Sequence, residues 1–507
     1  MAAEILLPSA SAKVDEARGF FDLEFKDPRY FTWVIVAFAS IGGLLSGLDQ
    51  SVILGATLSL PCSLGLDTRQ NSLVNSAMPL GAVGGALILS PSNEWFGRRW
   101  SIIISCILYT IGAALEAGSI NYGMIITIRV ILGLGVGLEG GTVPVYVAET
   151  VERRLRRNLV SLYQFNIALG EVLGYAIAAM FLYVSGNWRY ILGSSLVFST
   201  IIFVGILFLP ESPRFLMHQG RALDAYKVWK RIRGIETREA RDEFFVMRVS
   251  VLYERQVVSE SAVNKRFPWL DFFTVPQARR ALIYANIMIL LGQLTGVNAI
   301  MYYMSVLMSE IGFDDEKANY MSLVGSGSLL LGTIPAIFLI EKYGRRFWAN
   351  TTLPGFFIGL VIIGASYQIP LDTNLQGAEA CYLIGLILYV VPSEVYPTYL
   401  RSYGITTSDA LLFLASFVVT YNFSAMQDAI TRTGLTLSFH SGIAVTKDKT
   451  LEEIDLLFQR PTGEIVAENV RNICQAICDF VTGNWGSKSA AGGPAGKNLG
   501  QKETEIA

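Results

Sequence analysis

Gln293, Asn298 and Tyr302 stand where polar side chains are costly. The run around them, YANIMILLGQLTGVNAIMYYMSVLM from Tyr284 to Met308, is apolar over about 25 residues, enough to cross a bilayer core of ~30 Å at ~1.5 Å per residue. A span facing only lipid would carry no amides, because an amide without a partner in hydrocarbon costs several kcal/mol. Gln293, Thr295, Asn298, Tyr302 and Tyr303 must therefore face other protein or a wet cavity. Two readings fit. Paired donors and acceptors suit a polyhydroxylated solute, or the amides only join helices. Gly292 and Gly296 thin the helix beside them and serve either purpose.

Charges buried in other apolar runs add a second chemistry. Asp49 lies sixteen residues into the first run, about 24 Å from its inner end, and Arg129 seven residues into the fourth, about 10 Å from its outer end. Both fall in the outer half at similar height, where an isolated charge of either sign is costly, so the sequence predicts that they pair. An acid whose partner can be withdrawn carries a proton when left desolvated; a permanent structural ion pair is the other reading. Glu171 falls near the midplane of the fifth run, two helical turns beyond Gln164 on the same face. Glu139, in the glycine-rich fourth run, is a further buried acid whose role stays open between chemistry and packing. His218 and His440 lie in polar segments, which argues against a histidine proton relay. No nucleophile–base pair or phosphate-binding loop points to an enzyme, and neither a disulfide framework nor a metal site follows from the scattered cysteines.

The elements that must hold these residues are membrane spans. The chain has 507 residues, 52% of them hydrophobic and only 16% charged, with a net charge of −2, so it reads as a polytopic membrane protein with no basic footprint for nucleic acid. Apolar runs fall at about 33–55, 72–90, 100–118, 122–147, 160–184 and 190–209, then at 281–308, 318–340, 347–366 and 404–426. Lys and Arg cluster in alternate loops, fourteen of them between 210 and 280, which places the N-terminus and that central segment in the cytoplasm. The expected organisation is a cytoplasmic tail over 1–32, a first bundle of six spans over 33–209, a helical cytoplasmic segment over 210–280, a second bundle over 281–445, and a partly disordered cytoplasmic tail over 446–507.

The chain also repeats itself. EWFGRRW at 94–100 recurs as EKYGRRF at 341–347, each with a Glu three residues before Gly-Arg-Arg. Glu149 and Arg156 stand seven apart after Pro144, and Glu394 and Arg401 stand seven apart after Pro392. Acids and bases matched at the inner ends of both halves, Glu94 and Arg98, Glu149 and Arg156, Glu341 and Arg345, Glu394 and Arg401, suggest ion-pair latches on the cytoplasmic side. Loop charges kept only for topology are the alternative.

These motifs carry a resemblance. GGLLSGLDQSVILGA (42–56), the two Gly-Arg-Arg loops, RVILGLGVGLEGGTVPVYVAE (129–149), PESPRFL (210–216), QLTGVNAIMYY (293–303) and PSEVYPTYLRSYG (392–404) resemble the sugar porter family of the major facilitator superfamily. The likeness is greatest to its fungal-type sugar and polyol members, the hexose, inositol and quinate-like proton symporters. The resemblance implies an all-α polytopic membrane protein of two six-helix bundles around a central site that opens to each side in turn. It implies proton-coupled transport of a sugar or polyol, without cofactor or metal, by a monomer in the plasma membrane. Gln164, Glu171, Gln293, Asn298 and Tyr302 would bind the solute, Asp49 and Arg129 would couple the proton, and Glu211 and Arg214 of PESPRFL would join the cytoplasmic gate.

Several positions depart from the family pattern. Gly292-Gln293 replaces a glutamine pair, Leu329 stands where an asparagine is common, and Asn158 replaces a glycine. The first two make a cyclic polyol or another solute more plausible than a standard hexose. Between TNLQGAE and Pro392 only ACYLIGLILYVV remains, twelve residues covering about 18 Å, so the tenth helix is expected to be shortened. After the eleventh span, SFHSGIAV passes straight to TKDKTLEEID, and the twelfth helix is expected to be largely missing. A solute sensor without net transport, or a chain left inactive by its incomplete second bundle, are the competing readings.

Overall fold

A computed structural model describes residues 28–57, 59–151, 156–233, 238–260, 297–369, 376–386 and 402–430, with isolated helical positions between 279 and 293. All of them fall within one compact unit, Met1–Asp448. Residues 387–401 and 431–507 lie outside the described residues, and with them the expectations about the end of the tenth helix, the twelfth helix and the tail.

The first half is built from α1 (Pro28–Thr57), a short α2 (Leu60–Leu64), α3 (Thr68–Trp95), α4 (Arg98–Ala117), α5 (Tyr122–Thr150) and α6 (Arg156–Met180), closed by α7 (Asn187–Gly193) and α8 (Ser195–Ile206). Among the described residues four segments are long and apolar enough to cross a membrane: Thr68–Trp95, Arg98–Ala117, Tyr122–Thr150 and Asn187–Ile206. Their starts follow local chemistry. Asp67 and Gln70 form a capping box at α3, and the Asn121 side chain accepts from the Met124 amide at α5, 2.8 Å away. Glycine then lets the helices touch backbone to backbone. A Cβ on Gly47 of α1 would lie 1.9 Å from the Ile167 carbonyl oxygen of α6, and one on Gly170 of α6 would lie 2.1 Å from that of Leu44.

Between the halves lie three helices, α9 (Pro213–His218), α10 (Ala222–Arg233) and α11 (Arg238–Glu260). They close around their own small core of Leu216, Met217, Ala225, Trp229, Phe244 and Val251. The second half contributes α12 (Val297–Tyr302), α13 (Met304–Glu310), α14 (Asp315–Ser366), α15 (376–386) and α16 (Ser402–Ile430). The sequence separates two spans at 318–340 and 347–366, whereas the structure runs one 52-residue helix through both. The segment between them has no proline, and Gly344, its lone glycine, lowers helix propensity by only ~1 kcal/mol, so nothing local stops the helix.

The main core joins the two halves. Leu48, Val52, Tyr175 and Trp188 of the first pack in one cluster with Met301, Tyr302, Met304 and Tyr382 of the second. Large apolar side chains that stay exposed, among them Leu87, Ile111, Val197 and Leu331, form the surface that lipid requires. Just past the end of α6, the Tyr183 hydroxyl donates to the Glu316 carboxylate at the start of α14.

Candidate functional site

Asp49 of α1 and Arg129 of α5 do meet. Arg129 Nη1 lies 3.5 Å from Asp49 Oδ2, and neither side chain is exposed. The pair is not alone. Glu116, the next-to-last residue of α4, accepts a hydrogen bond from Arg129 Nε at 2.8 Å and is equally inaccessible. Its tighter geometry makes it the guanidinium's main partner, since neither Asp49 oxygen accepts a hydrogen bond. Sequence reasoning passed over Glu116 because it stands at the end of an apolar run, where an acid ordinarily reaches interfacial water. The missed signal is that a lone acid so close to a membrane span calls for a partner.

Beside this cluster a small cavity opens between α1, α6 and α12, lined by Gln50, Ser51, Leu54, Glu171, Tyr175, Met301 and Tyr302. Glu171 and Tyr302 both line this cavity. The Tyr175 hydroxyl donates to the Met301 carbonyl at 3.3 Å, fixing α6 against α12 at its edge. Gln164 is half-buried on α6, seven residues before Glu171. Gln293 and Asn298 come together more tightly than spacing suggests. Asn298 Nδ2 donates to Gln293 Oε1 at 2.6 Å and approaches Ser416 Oγ of α16 at 3.4 Å. The two amides are thereby held in place while each keeps polar capacity for a further partner.

Glu139 is 2% exposed and packs against α1, where a Cβ on Gly42 would lie 1.8 Å from its Oε1. Neither of its carboxylate oxygens accepts a hydrogen bond.

Where α3 turns into α4, three sequence motifs converge on two carboxylates. Gly97, at φ 92°, turns the chain from α3 into α4 in a region that favours glycine. Glu211 occupies the space beside it and Oε1 accepts from the backbone amides of Arg98, Arg99 and Ser212 at 3.0, 3.1 and 2.9 Å. The carboxylate so caps the positive end of α4. Burial nevertheless pushes the Glu211 carboxyl up, with the amides and the Arg98 charge pulling against it. Arg98 Nη2 donates to Glu149 Oε1 at 2.9 Å, and Ser212 Oγ donates to the other Glu149 oxygen. Glu149 is therefore joined to the Gly-Arg-Arg loop. The Arg98 guanidinium also lies 5.5 Å from the Phe215 ring centre. Glu94 is exposed at the end of α3, and Arg214 is half-buried on α9. The side chains of Arg156, Glu341 and Arg345, and all of Glu394 and Arg401, lie outside the described residues.

Comparison with known proteins gives this arrangement a context. A family model described as sugar (and other) transporter matches residues 35–447. A myo-inositol transporter of Gibberella moniliformis, FST1, is 69% identical over 508 aligned residues, covering 95% of this chain and 88% of that protein. An arabinose-proton symporter of Escherichia coli is 28% identical, covering 88% of this chain and 96% of its own. Among solved structures, the proton:xylose symporter XylE bound to 6-bromo-6-deoxy-D-glucose superimposes with a TM-score of 0.69 at 23% identity, over 85% of this chain and 99% of its own. That likeness concerns the fold.

Proposed function

The chain belongs to the sugar (and other) transporter family, a family of multi-pass membrane transporters, and from that premise we propose that it carries a cyclic polyol, with myo-inositol foremost, by proton-coupled symport and alternating access. The observation that carries the substrate is the 69% identity to a myo-inositol transporter across 95% of the chain. The amides of Gln293 and Asn298, held at 2.6 Å from one another, supply donors and acceptors for a ring of hydroxyls. Gln164, Glu171 and Tyr302 complete the solute site in this reading, and Asp49 and Arg129 exchange the proton. Glu94, Arg98, Glu149, Arg156, Glu211 and Arg214 would latch the first half on the cytoplasmic side, with Glu341, Arg345, Glu394 and Arg401 as their counterparts.

The domain limits follow the same reading: tail 1–32, first bundle 33–209, cytoplasmic helices 210–280, second bundle 281–445 and tail 446–507. The sequence supports a tenth span of about twelve apolar residues and a twelfth reduced to about five, so the second bundle is proposed to be incomplete. Uptake of labelled myo-inositol into proteoliposomes, with and without an inward proton gradient, tests the function. Accumulation above the outside concentration only with the gradient is expected. Binding without any flux would favour a sensor, and gradient-independent equilibration would remove the proton.

A further inference from the structure

We propose that Glu116 is a second coupling acid, sharing Arg129 with Asp49, so that the proton binds to a two-carboxylate, one-guanidinium site. The inference rests on the symport reading above. Its basis is geometric: Arg129 Nε is bonded to Glu116 at 2.8 Å, while Nη1 stands 3.5 Å from Asp49, and all three side chains have no exposure. Two carboxylates against one guanidinium leave a net charge of −1 sealed from water, and a single proton brings the count to zero. That proton belongs to the acid pair and not to either residue alone.

Among the described residues, the surroundings offer no other strong counter-charge. From α12, Tyr302 faces Asp49 and Arg129, and Tyr109 of α4 faces Asp49. From α6, Glu171 faces Tyr302, and from α5, Glu139 faces Tyr109. Arg189 of α7 is committed next door, donating to the Ala117 carbonyl at 3.0 Å and lying 4.4 Å from the Trp188 ring centre. One of the two oxygens of Glu116, and both terminal nitrogens of Arg129, have no hydrogen-bond partner among the described residues. The guanidinium can therefore turn toward either acid. When Asp49 takes the proton, Glu116 retains Arg129 inside the first bundle and prevents a lone buried cation.

The test is the pH dependence of myo-inositol accumulation in proteoliposomes for Glu116→Gln and Asp49→Asn. Glutamine keeps an oxygen for Arg129 Nε but removes one negative charge, so the site is already neutral without a proton. The pH of half-maximal accumulation should move toward acid by one unit or more, with a severalfold loss of accumulation at neutral outside pH that acid restores. A part played only in holding the fold would lower the maximal rate at an unchanged midpoint, and that result overturns the proposal. Glu116→Met, of similar volume and equally uncharged, is read the same way where Gln does not reach the membrane. Asp49→Asn separates the two levels. If it still concentrates solute on the proton gradient, the symport reading fails at Asp49. If it loses accumulation while both Glu116 variants match the wild-type profile, Glu116 alone is excluded.

Discussion

Arg129 is the residue on which most of the first bundle's buried charge turns, and its depth explains why it can be read so early. An arginine and an aspartate at equal height in apolar runs have no inexpensive alternative to meeting, and in the structure they stand 3.5 Å apart. Glu116 was not legible in the same way, because its burial depends on how α4 ends against α5. The bond between Gln293 and Asn298 was hidden too, since residues five apart lie well around a straight helix from one another. Gln293→Ala removes an acceptor from that bond as well as the proposed solute contact. With a net worth of about 1 kcal/mol per hydrogen bond, apparent affinity for myo-inositol should fall roughly fivefold at normal surface expression. Asn298→Ala should not add its full effect on top, because the two amides share one bond. Unchanged half-saturation in both variants would exclude them from the solute site.

Individual helices show where sequence reading holds and where it stops. The apolar runs mark α3, α4 and α5 closely because hydropathy and caps agree there, as at Asp67 and Asn121. They fail at α14, where the Gly-Arg-Arg turn expected by repetition is absent from the helix that runs through it. The first copy of that motif behaves differently because Gly97 adopts φ 92° and Glu211 receives the freed amides. Glu211→Ala takes the acceptor from three backbone N–H groups at once. It should cost about 2–3 kcal/mol, seen as a lower melting temperature in detergent, and Glu211→Gln should recover part of the loss. Helix contact gives a sharper case. Gly170→Val places its Cβ against the Leu44 carbonyl, 2.1 Å away, where backbone and not a flexible side chain would have to give. No monodisperse protein should elute on size exclusion, whereas Ala substitution at Gly118, whose nearest neighbours lie at 3.6 Å or more, should be tolerated.

For the whole molecule, the proposed short tenth span and reduced twelfth predict slow transport. A span of about 18 Å in a core of ~30 Å must thin the bilayer or draw polar flanks inward, and either strains the second bundle. Restoring a full-length apolar segment before Pro392, and another before Thr446, should raise the initial uptake rate at equal expression. If the 507-residue chain already matches such a restored chain, the second bundle is adequate as it stands. In the proposed alternating-access cycle, the contact from Tyr183 to Glu316 would part whenever the outer side opens. A final consequence belongs to the two acids that share Arg129, and it is electrical. In the proposed symport cycle that site would carry −1 without its proton, through the reorientation of the empty carrier, and nothing with proton and solute aboard. A membrane potential, negative inside, acts on a unit charge with up to ~2.3 kcal/mol per 100 mV. The field therefore leaves the loaded step alone and drives the empty site back outward, so voltage sets how quickly the carrier returns rather than how tightly it binds.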